Sequence, residues 1–225
     1  MKFDVIVADP PWSFKDSLKM SDVARGAKAN YDTMTISDIK QLDVRSICAP
    51  TGAVLCLWVP GSLLQEGLDT MKAWGFKHKQ TYVWVKTKKQ IKIEKEFYRT
   101  VKGITKSVKD GMPLSLVLTN YTVNLLETLA FGMGRLFRQT HEICLVGISN
   151  NRVYKKLRNR SQRSVSFGEN LKHSSKPEHL QDSLEIMFPE CKKLEMFARR
   201  VRPGWTCLGN EIDGKDIRDA LADLK

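Results

Sequence analysis

The sequence predicts an α/β fold with a largely parallel β-sheet. Short runs rich in Val, Ile and Leu alternate with segments whose apolar residues keep helical spacing. Such alternation is typical of parallel strands, because each connection must cross back over the sheet. The run at 53–59 is apolar throughout, which indicates a strand covered on both faces.

The elements of the first half each have a recognisable signal. Residues 3–8 are apolar and β-branched, and the prolines that follow end this strand abruptly. Thr35 and Asp38 have the form of a capping box, which predicts a helix start. A second helix is predicted at 63–71 from the spacing of its leucines, and Gly75 ends it.

The second half repeats the alternation. Strands are predicted at 81–86 and His141–Ile148, a helix begins at Pro177, and short strands at 194–198 and 205–208 close the fold. The five cysteines are odd in number and lack C-x-x-C spacing, so we expect reduced core residues in a cytoplasmic protein and no metal site.

The alternation breaks at about 88–128. This stretch lacks clear periodicity at its start and is rich in Lys and Arg. We interpret it as a basic excursion inserted into a single domain of residues 1–225, with room for a short helix in its later half. A second basic segment at 152–163 contains no acidic residue.

The charge balance favours a polyanionic partner. Lys and Arg number 37 against 25 Asp and Glu, which gives a formal net charge of +12, and a clustered surplus suits nucleic acid or an anionic membrane surface. No apolar run approaches the roughly 18 residues of a membrane span, and the amino terminus lacks signal-peptide architecture. The alternative is that the basic segments are solvated loops that keep the protein soluble.

The motif formed by Asp9, Pro10, Pro11 and Trp12 directly follows the first predicted strand. A carboxylate and a backbone carbonyl can together accept both N–H groups of an exocyclic amine, which holds a poor nucleophile in place. The prolines fix the backbone and donate nothing, and an indole face can stack on a flipped base. The alternative is a strand-ending turn with Trp12 as a core anchor.

Several segments, in this order, resemble the adenine-N6 methyltransferases of the DPPW class, which include the catalytic subunit of the eukaryotic messenger-RNA adenosine methyltransferase. They cover nearly the whole chain, and the closing ones resemble the bacterial and phage branch. The segments are 4–12, 31–34, 57–59, 84–87, 132–134, 141–142, 175–178, 195–200, 202–205 and 209–211. The resemblance implies a Rossmann-like methyltransferase fold of permuted order, with the catalytic motif first and the donor-binding strand last.

The resemblance also implies individual roles. The Asp9–Trp12 motif would be catalytic, Tyr31 would help to enclose the target adenine, and S-adenosylmethionine would be the donor, leaving S-adenosylhomocysteine, with no metal. Glu211 stands where the messenger-RNA enzyme has Gln, and Arg200 is a candidate partner for the donor's carboxylate. The implied donor-binding residues are Asp9, Lys176, Phe197, Arg199, Arg200, Asn210 and Glu211.

The basic segments would then position the polymer. Lys86, Arg158 and Arg160 are predicted substrate contacts, on condition that both segments follow carboxyl ends of sheet strands. Trp58 and Trp84 lie within apolar strands and are predicted to be core residues. DNA is favoured as the substrate, in the cytoplasm of a bacterium or phage-infected host. RNA, a catalytically silent nucleic-acid-binding subunit, a homodimer and a partner subunit all stay open.

Overall fold

The computed structural model describes residues 1–13, 33–116, 128–130, 132, 136–170 and 176–225. Within these ranges the strands are β1 (Val5–Ala8), β2 (Val54–Val59), β3 (Lys77–Thr87), β4 (His141–Ile148), β5 (Val165–Glu169), β6 (Lys193–Met196) and β7 (Trp205–Leu208). The α-helices are α1 (Ile36–Gln41), α2 (Leu64–Ala73), α3 (Gln90–Lys109), α4 (His179–Met187), α5 (Asn210–Asp213) and α6 (Ile217–Ala222).

The strands form a seven-stranded sheet in the order β5-β3-β4-β2-β1-β6-β7. Strand β1 pairs in parallel with β2 and β6, and β6 pairs in parallel with β7. Strand β4 runs antiparallel to β2, so Ile143 lies opposite Val59 and Ile148 opposite Val54. This is the predicted Rossmann-like methyltransferase fold with a mainly parallel sheet, and β1 precedes β6 and β7 as the permuted order requires.

The hydrophobic core lies around β1, β2 and β6, and it includes residues of helices α1 and α2. All six residues of β2 are buried, as its continuous apolar sequence predicts. The indole N–H of Trp74, at the end of α2, donates to the Ile39 carbonyl of α1 at 2.9 Å. Thr35 caps α1 by accepting from the Asp38 N–H, which confirms the predicted helix start.

The chain is divided into two compact units. The first contains Met1–Val83, Glu142–Ser164 and Glu178–Lys225, and the second contains Trp84–His141 and Val165–Pro177. In the second unit, the Trp84 indole N–H donates to the Gly168 carbonyl at 3.2 Å. None of the described helices is both long and apolar enough to cross a membrane.

Three features differ from the sequence-based predictions. Residues 90–109, expected to be irregular, form the 20-residue helix α3, because its apolar residues repeat at helical spacing between many lysines. Strand β3 begins at Lys77 with four exposed polar residues, which carry no apolar signal. Strand β5 was not predicted. Its residues alternate between exposed and half-buried, as is typical of a short strand with one solvated face, so it has no continuous apolar run.

Candidate functional site

Three neighbouring strands end at one edge of the sheet, and the residues that follow them form the candidate site. Ala8 lies opposite Met196, and Met196 lies opposite Leu208. Asp9 and Phe197 each follow one of these strands directly, and Asn210 follows the third one residue later. Sites in open α/β sheets form at the carboxyl ends of the strands, so this edge is where ligand-binding residues are expected.

The turn after β1 holds Asp9 in a fixed place. The Trp12 backbone N–H donates to the Pro10 carbonyl at 2.8 Å, and the Met34 N–H donates to the Pro11 carbonyl at 2.9 Å. Pro10 is buried, whereas Asp9 is half-buried at the end of a fully buried strand. Each proline carbonyl keeps a second lone pair, so it can still accept from a ligand.

Trp12 is a core residue, which favours the alternative of a core anchor over stacking on a flipped base. Its side chain is only 3% exposed, and its indole N–H donates to the Trp58 carbonyl at 2.9 Å. The physical reason is that a large apolar ring with one satisfied N–H is more stable inside the core than at the rim. Trp12 therefore anchors the turn that carries Asp9, and Trp58, 2% exposed, is in the core as predicted.

The backbone at Phe197 is strained. Its φ of 61° is the only positive φ of a non-glycine residue within the described ranges, and a bulky residue rarely adopts it. The left-handed residue ends β6 and turns the chain sharply at the sheet edge. Such strain persists only where the surroundings enforce it, and it clusters at ligand sites.

Gly209 allows a close approach beside Phe197. A Cβ at this position would lie 2.3 Å from the Ala198 carbonyl oxygen and 2.8 Å from the Ala198 nitrogen. The Ala198 N–H donates to the Leu208 carbonyl at 2.8 Å, which fixes the two chains together. Only glycine fits here, because any side chain would collide with the neighbouring backbone.

Arg199 and Glu211 meet beyond this close approach. The Arg199 Nε lies 3.5 Å from the Glu211 Oε1, and the two side chains are 38% and 58% exposed. Asn210, also exposed, opens the short helix α5. An exposed ion pair contributes little to stability. The structure thus brings together three residues that the resemblance assigned to the donor.

Glu195 is a further residue of this site, for which the sequence motifs predict no role. It lies on β6 opposite Val7, and its Oε1 accepts from Gln181 Nε2 at 3.2 Å. Burial raises the pKa of the Glu195 carboxyl, whereas the Gln181 hydrogen bond and the charges of two nearby arginines oppose the rise, and the charge of Asp9 adds the smallest contribution to it. The one available signal was an acidic residue inside an apolar strand.

The Oε1 of Gln181 is also unusual. It is buried and has no hydrogen-bond partner within the described part of the chain. A buried acceptor without a partner carries a free-energy cost, so a ligand with N–H groups would find an unsatisfied acceptor near Glu195. Helix α4, which carries Gln181, therefore contributes to the polar character of this edge.

Comparison with known proteins identifies the family. The family model described as MT-A70 matches residues 3–112 and 108–211. The chain belongs to the MT-A70 family. This is the methyltransferase family to which the sequence resemblance pointed, and it agrees with a carboxylate motif at the end of the first strand.

Curated relatives include N(6)-adenosine-methyltransferases and a Type II methyltransferase. The chain is 27% identical over 214 residues to an Arabidopsis thaliana protein named "N(6)-adenosine-methyltransferase MT-A70-like", covering 94% of this chain and 24% of that protein. It is 25% identical to the human "N(6)-adenosine-methyltransferase catalytic subunit METTL3", covering 97% and 30%. It is 26% identical to "Type II methyltransferase M.MunI" of Mycoplasma sp, covering 96% and 80%. The chain spans only about a quarter of the Arabidopsis relative.

Arg200 Nε forms an ion pair with Glu178 Oε1 at 2.6 Å, and the two side chains are 55% and 41% exposed. Its role at the donor's carboxylate stays a prediction. The neighbouring Arg202 is engaged even more fully, with Glu178, Asp182 and Glu185 at 2.6 to 2.7 Å. These pairs attach the loop after β6 to helix α4.

The remaining predicted residues belong to other parts of the chain. Tyr31 falls outside the described residues. Lys86 and Lys176 belong to the second compact unit, where the Lys86 Nζ lies 5.3 Å from the centroid of the Trp84 ring. Trp84 is 1% exposed and is a core residue, as predicted.

Arg158 follows the end of β4 that lies opposite the start of β2, away from the strand end that carries Asp9, so its substrate contact stays a prediction that this topology does not favour. Its backbone N–H donates to Met187 at the end of α4, and its side chain pairs with Glu190 at 3.1 Å. The segment follows the carboxyl end of β4, but β4 is antiparallel, so this end meets the beginning of β2. Arg160 is exposed in the same segment, and its predicted substrate contact is not favoured for the same reason.

Proposed function

We propose that this MT-A70 protein transfers a methyl group from S-adenosylmethionine to the N6 amino group of adenine in DNA. The observation that carries the proposal is Asp9, half-buried at the end of β1 beside the ends of β6 and β7. DNA is favoured because the chain covers 80% of the Type II methyltransferase M.MunI. The longer N(6)-adenosine-methyltransferase relatives favour RNA as the second candidate.

The residues at this edge fit the donor. Arg199, Asn210 and Glu211 offer a guanidinium, an amide and a carboxylate in one exposed cluster, which suits ribose hydroxyls and a carboxylate. The buried Oε1 of Gln181, which has no hydrogen-bond partner among the described residues, can accept from an ammonium group. When bound, S-adenosylmethionine supplies an electrophilic methyl group on a positively charged sulfur. Phe197 contributes an apolar wall.

Asp9 and its turn would prepare the amine. The Asp9 carboxylate and the second lone pair of the Pro10 carbonyl can accept the two N–H groups of the adenine amine. This fixes the nitrogen and raises its electron density, and orientation of this kind can supply much of a rate enhancement. The turn is rigid because Trp12 is anchored in the core, so Asp9 does not need to be ordered during the reaction.

The test measures the product directly. We would incubate the full chain with S-adenosylmethionine and matched duplex DNA, single-stranded DNA or RNA, and quantify methylated nucleosides by mass spectrometry. We expect N6-methyladenine in DNA, and a loss of about 100-fold or more in Asp9→Ala. The control is Asp219→Ala, an exposed aspartate of α6, which should keep full activity.

Each other outcome identifies an alternative. Product in RNA alone would assign the second candidate substrate. Donor binding without product in any pool would support a catalytically silent subunit or the need for a partner. If Asp9→Ala kept wild-type activity, the proposed role of the motif would be wrong.

A further inference from the structure

Helix α3 carries a continuous row of basic side chains. The helix has 20 residues and is therefore about 30 Å long. Successive basic residues are three or four positions apart, so they lie on one face of the helix. This basic ridge consists of Lys92, Lys95, Arg99, Lys102, Lys106 and Lys109.

The ridge is solvent-facing. All six side chains belong to exposed residues, and none forms an ion pair with any residue that the structure describes. The other face of the helix carries apolar residues at 93, 97, 101, 104 and 108, about half a turn away from the ridge. The two faces are separate, so the basic side chains are not merely scattered among other surface residues.

The ridge carries electrostatic costs for the helix in its first half, whereas Lys106 and Lys109 in the last turn favour the helix dipole. Like charges three and four residues apart repel each other, and Lys92 stands in the first turn, where the helix dipole disfavours a cation. No acidic residue lies in the first turn of α3, although Glu169 of β5 caps the helix by accepting from the Gln90 N–H at 2.9 Å. A polyanion bound along the ridge would remove both penalties.

We propose that the basic ridge of α3 binds the phosphate backbone of the nucleic-acid substrate. Lys92 and Lys109 are separated by about 25 Å along the helix axis, which is long enough to follow several consecutive phosphates. The contacts are with phosphates, so they add affinity independent of sequence. The inference rests on the proposed function for the identity of the polyanion, and it concerns binding rather than chemistry.

The experiment compares two triple variants that lose the same charge. One changes the middle of the ridge, with Lys95→Gln, Arg99→Gln and Lys102→Gln. The matched control changes three lysines that pair with protein carboxylates, at distances of 3.4, 2.8 and 2.6 Å. These control substitutions are Lys40→Gln, Lys215→Gln and Lys225→Gln.

Affinity for duplex DNA is measured by fluorescence anisotropy over a series of salt concentrations. Three lost phosphate contacts should lower the slope of log K against log salt by about 2.7 in the ridge variant, with a small change in the control. Circular dichroism checks that α3 is still helical in both. Equal slopes in the two variants would overturn the proposal.

Two further measurements separate this inference from its alternatives. Asp9→Ala should lose methylation and keep the wild-type salt slope, so a failure of the proposed function does not imitate a failure of the ridge. An amphipathic basic helix could instead bind an anionic membrane. Sedimentation with phosphatidylserine vesicles that depends on the ridge, together with an unchanged DNA slope, would overturn the proposal in favour of a membrane.

Discussion

At the scale of single residues, the site combines a rigid carboxylate with a buried one. Asp9 extends from a turn whose prolines and core tryptophan fix its position. Glu195, on the neighbouring strand, has a raised pKa chiefly because it is buried. Burial disfavours the charged form of a carboxyl, so Glu195 keeps its proton to a higher pH than an exposed glutamate does.

The first prediction concerns the pH dependence of stability. A raised folded-state pKa means that Glu195 stabilises the fold below the ordinary glutamate pKa of about 4.3, and that this stabilisation is lost as the pH rises through the folded pKa. Glu195→Gln stays neutral and should avoid the loss. Urea denaturation should therefore show that the variant gains stability relative to wild type as the pH rises.

Glu185 provides the comparison with the opposite sign. The hydrogen bond from Arg202 lowers the pKa of Glu185, so its stabilisation is present above the ordinary glutamate pKa and lost as the pH falls. Glu185→Gln should thus be destabilised relative to wild type at neutral pH and approach it in acid. If the unfolding free energies of wild type and Glu195→Gln changed in parallel with pH, the assignment of a raised pKa to Glu195 would be wrong.

At the scale of secondary-structure elements, the candidate donor site depends on how closely β7 approaches the chain that leaves β6. Gly209 permits this contact with the Ala198 backbone, while the left-handed Phe197 redirects the chain. The ion pairs of Arg202 attach the same loop to α4. Packing and charge therefore act together to hold Arg199 near Glu211.

The second prediction follows from this close approach. Gly209→Ala places a methyl group 2.3 Å from a backbone oxygen, so the chains must separate, which should destabilise the fold by about 1–3 kcal/mol. We also expect weaker donor binding, measured by isothermal titration calorimetry under conditions where the variant is folded. The control is Gly132→Ala, whose new Cβ would lie 3.8 Å from the Gln139 carbonyl oxygen, its nearest neighbour among the described residues. Equal stability of both variants would contradict the prediction.

At the scale of the whole molecule, one antiparallel strand decides where the second basic segment lies. Because β4 runs against β2, the chain emerges beside the beginning of β1 rather than beside Asp9. The ion pair of Lys156 with Asp4 is made there. The net charge of +12 is therefore distributed over different edges of the fold, and it does not all surround the candidate site.

The third prediction tests this topology. The double variant Arg158→Gln and Arg160→Gln should keep the wild-type kcat/KM for methylation within about twofold. Its stability should change little, because the pair of Arg158 with Glu190 is exposed. Steady-state kinetics on the methylated substrate measures the effect. A loss of more than about tenfold in kcat/KM would mean that this segment does reach the target site.

Local patterns in the sequence determined much of this protein. The β1 motif, the capped helix α1, the buried strand β2 and the order of the elements were all predicted, because caps, prolines and apolar spacing act over a few residues. The motif segments, taken in order, also predicted the methyltransferase family, which the match to residues 3–112 and 108–211 confirmed.

Only the tertiary structure decided the rest. Strand direction depends on hydrogen bonds between distant segments, so the sequence could not show that β4 is antiparallel or that Arg158 lies far from Asp9. The burial of Trp12 depends on a carbonyl 46 positions away, and the need for glycine at 209 depends on the backbone of Ala198. These features arise from contacts between residues far apart in the chain, which local propensity does not encode.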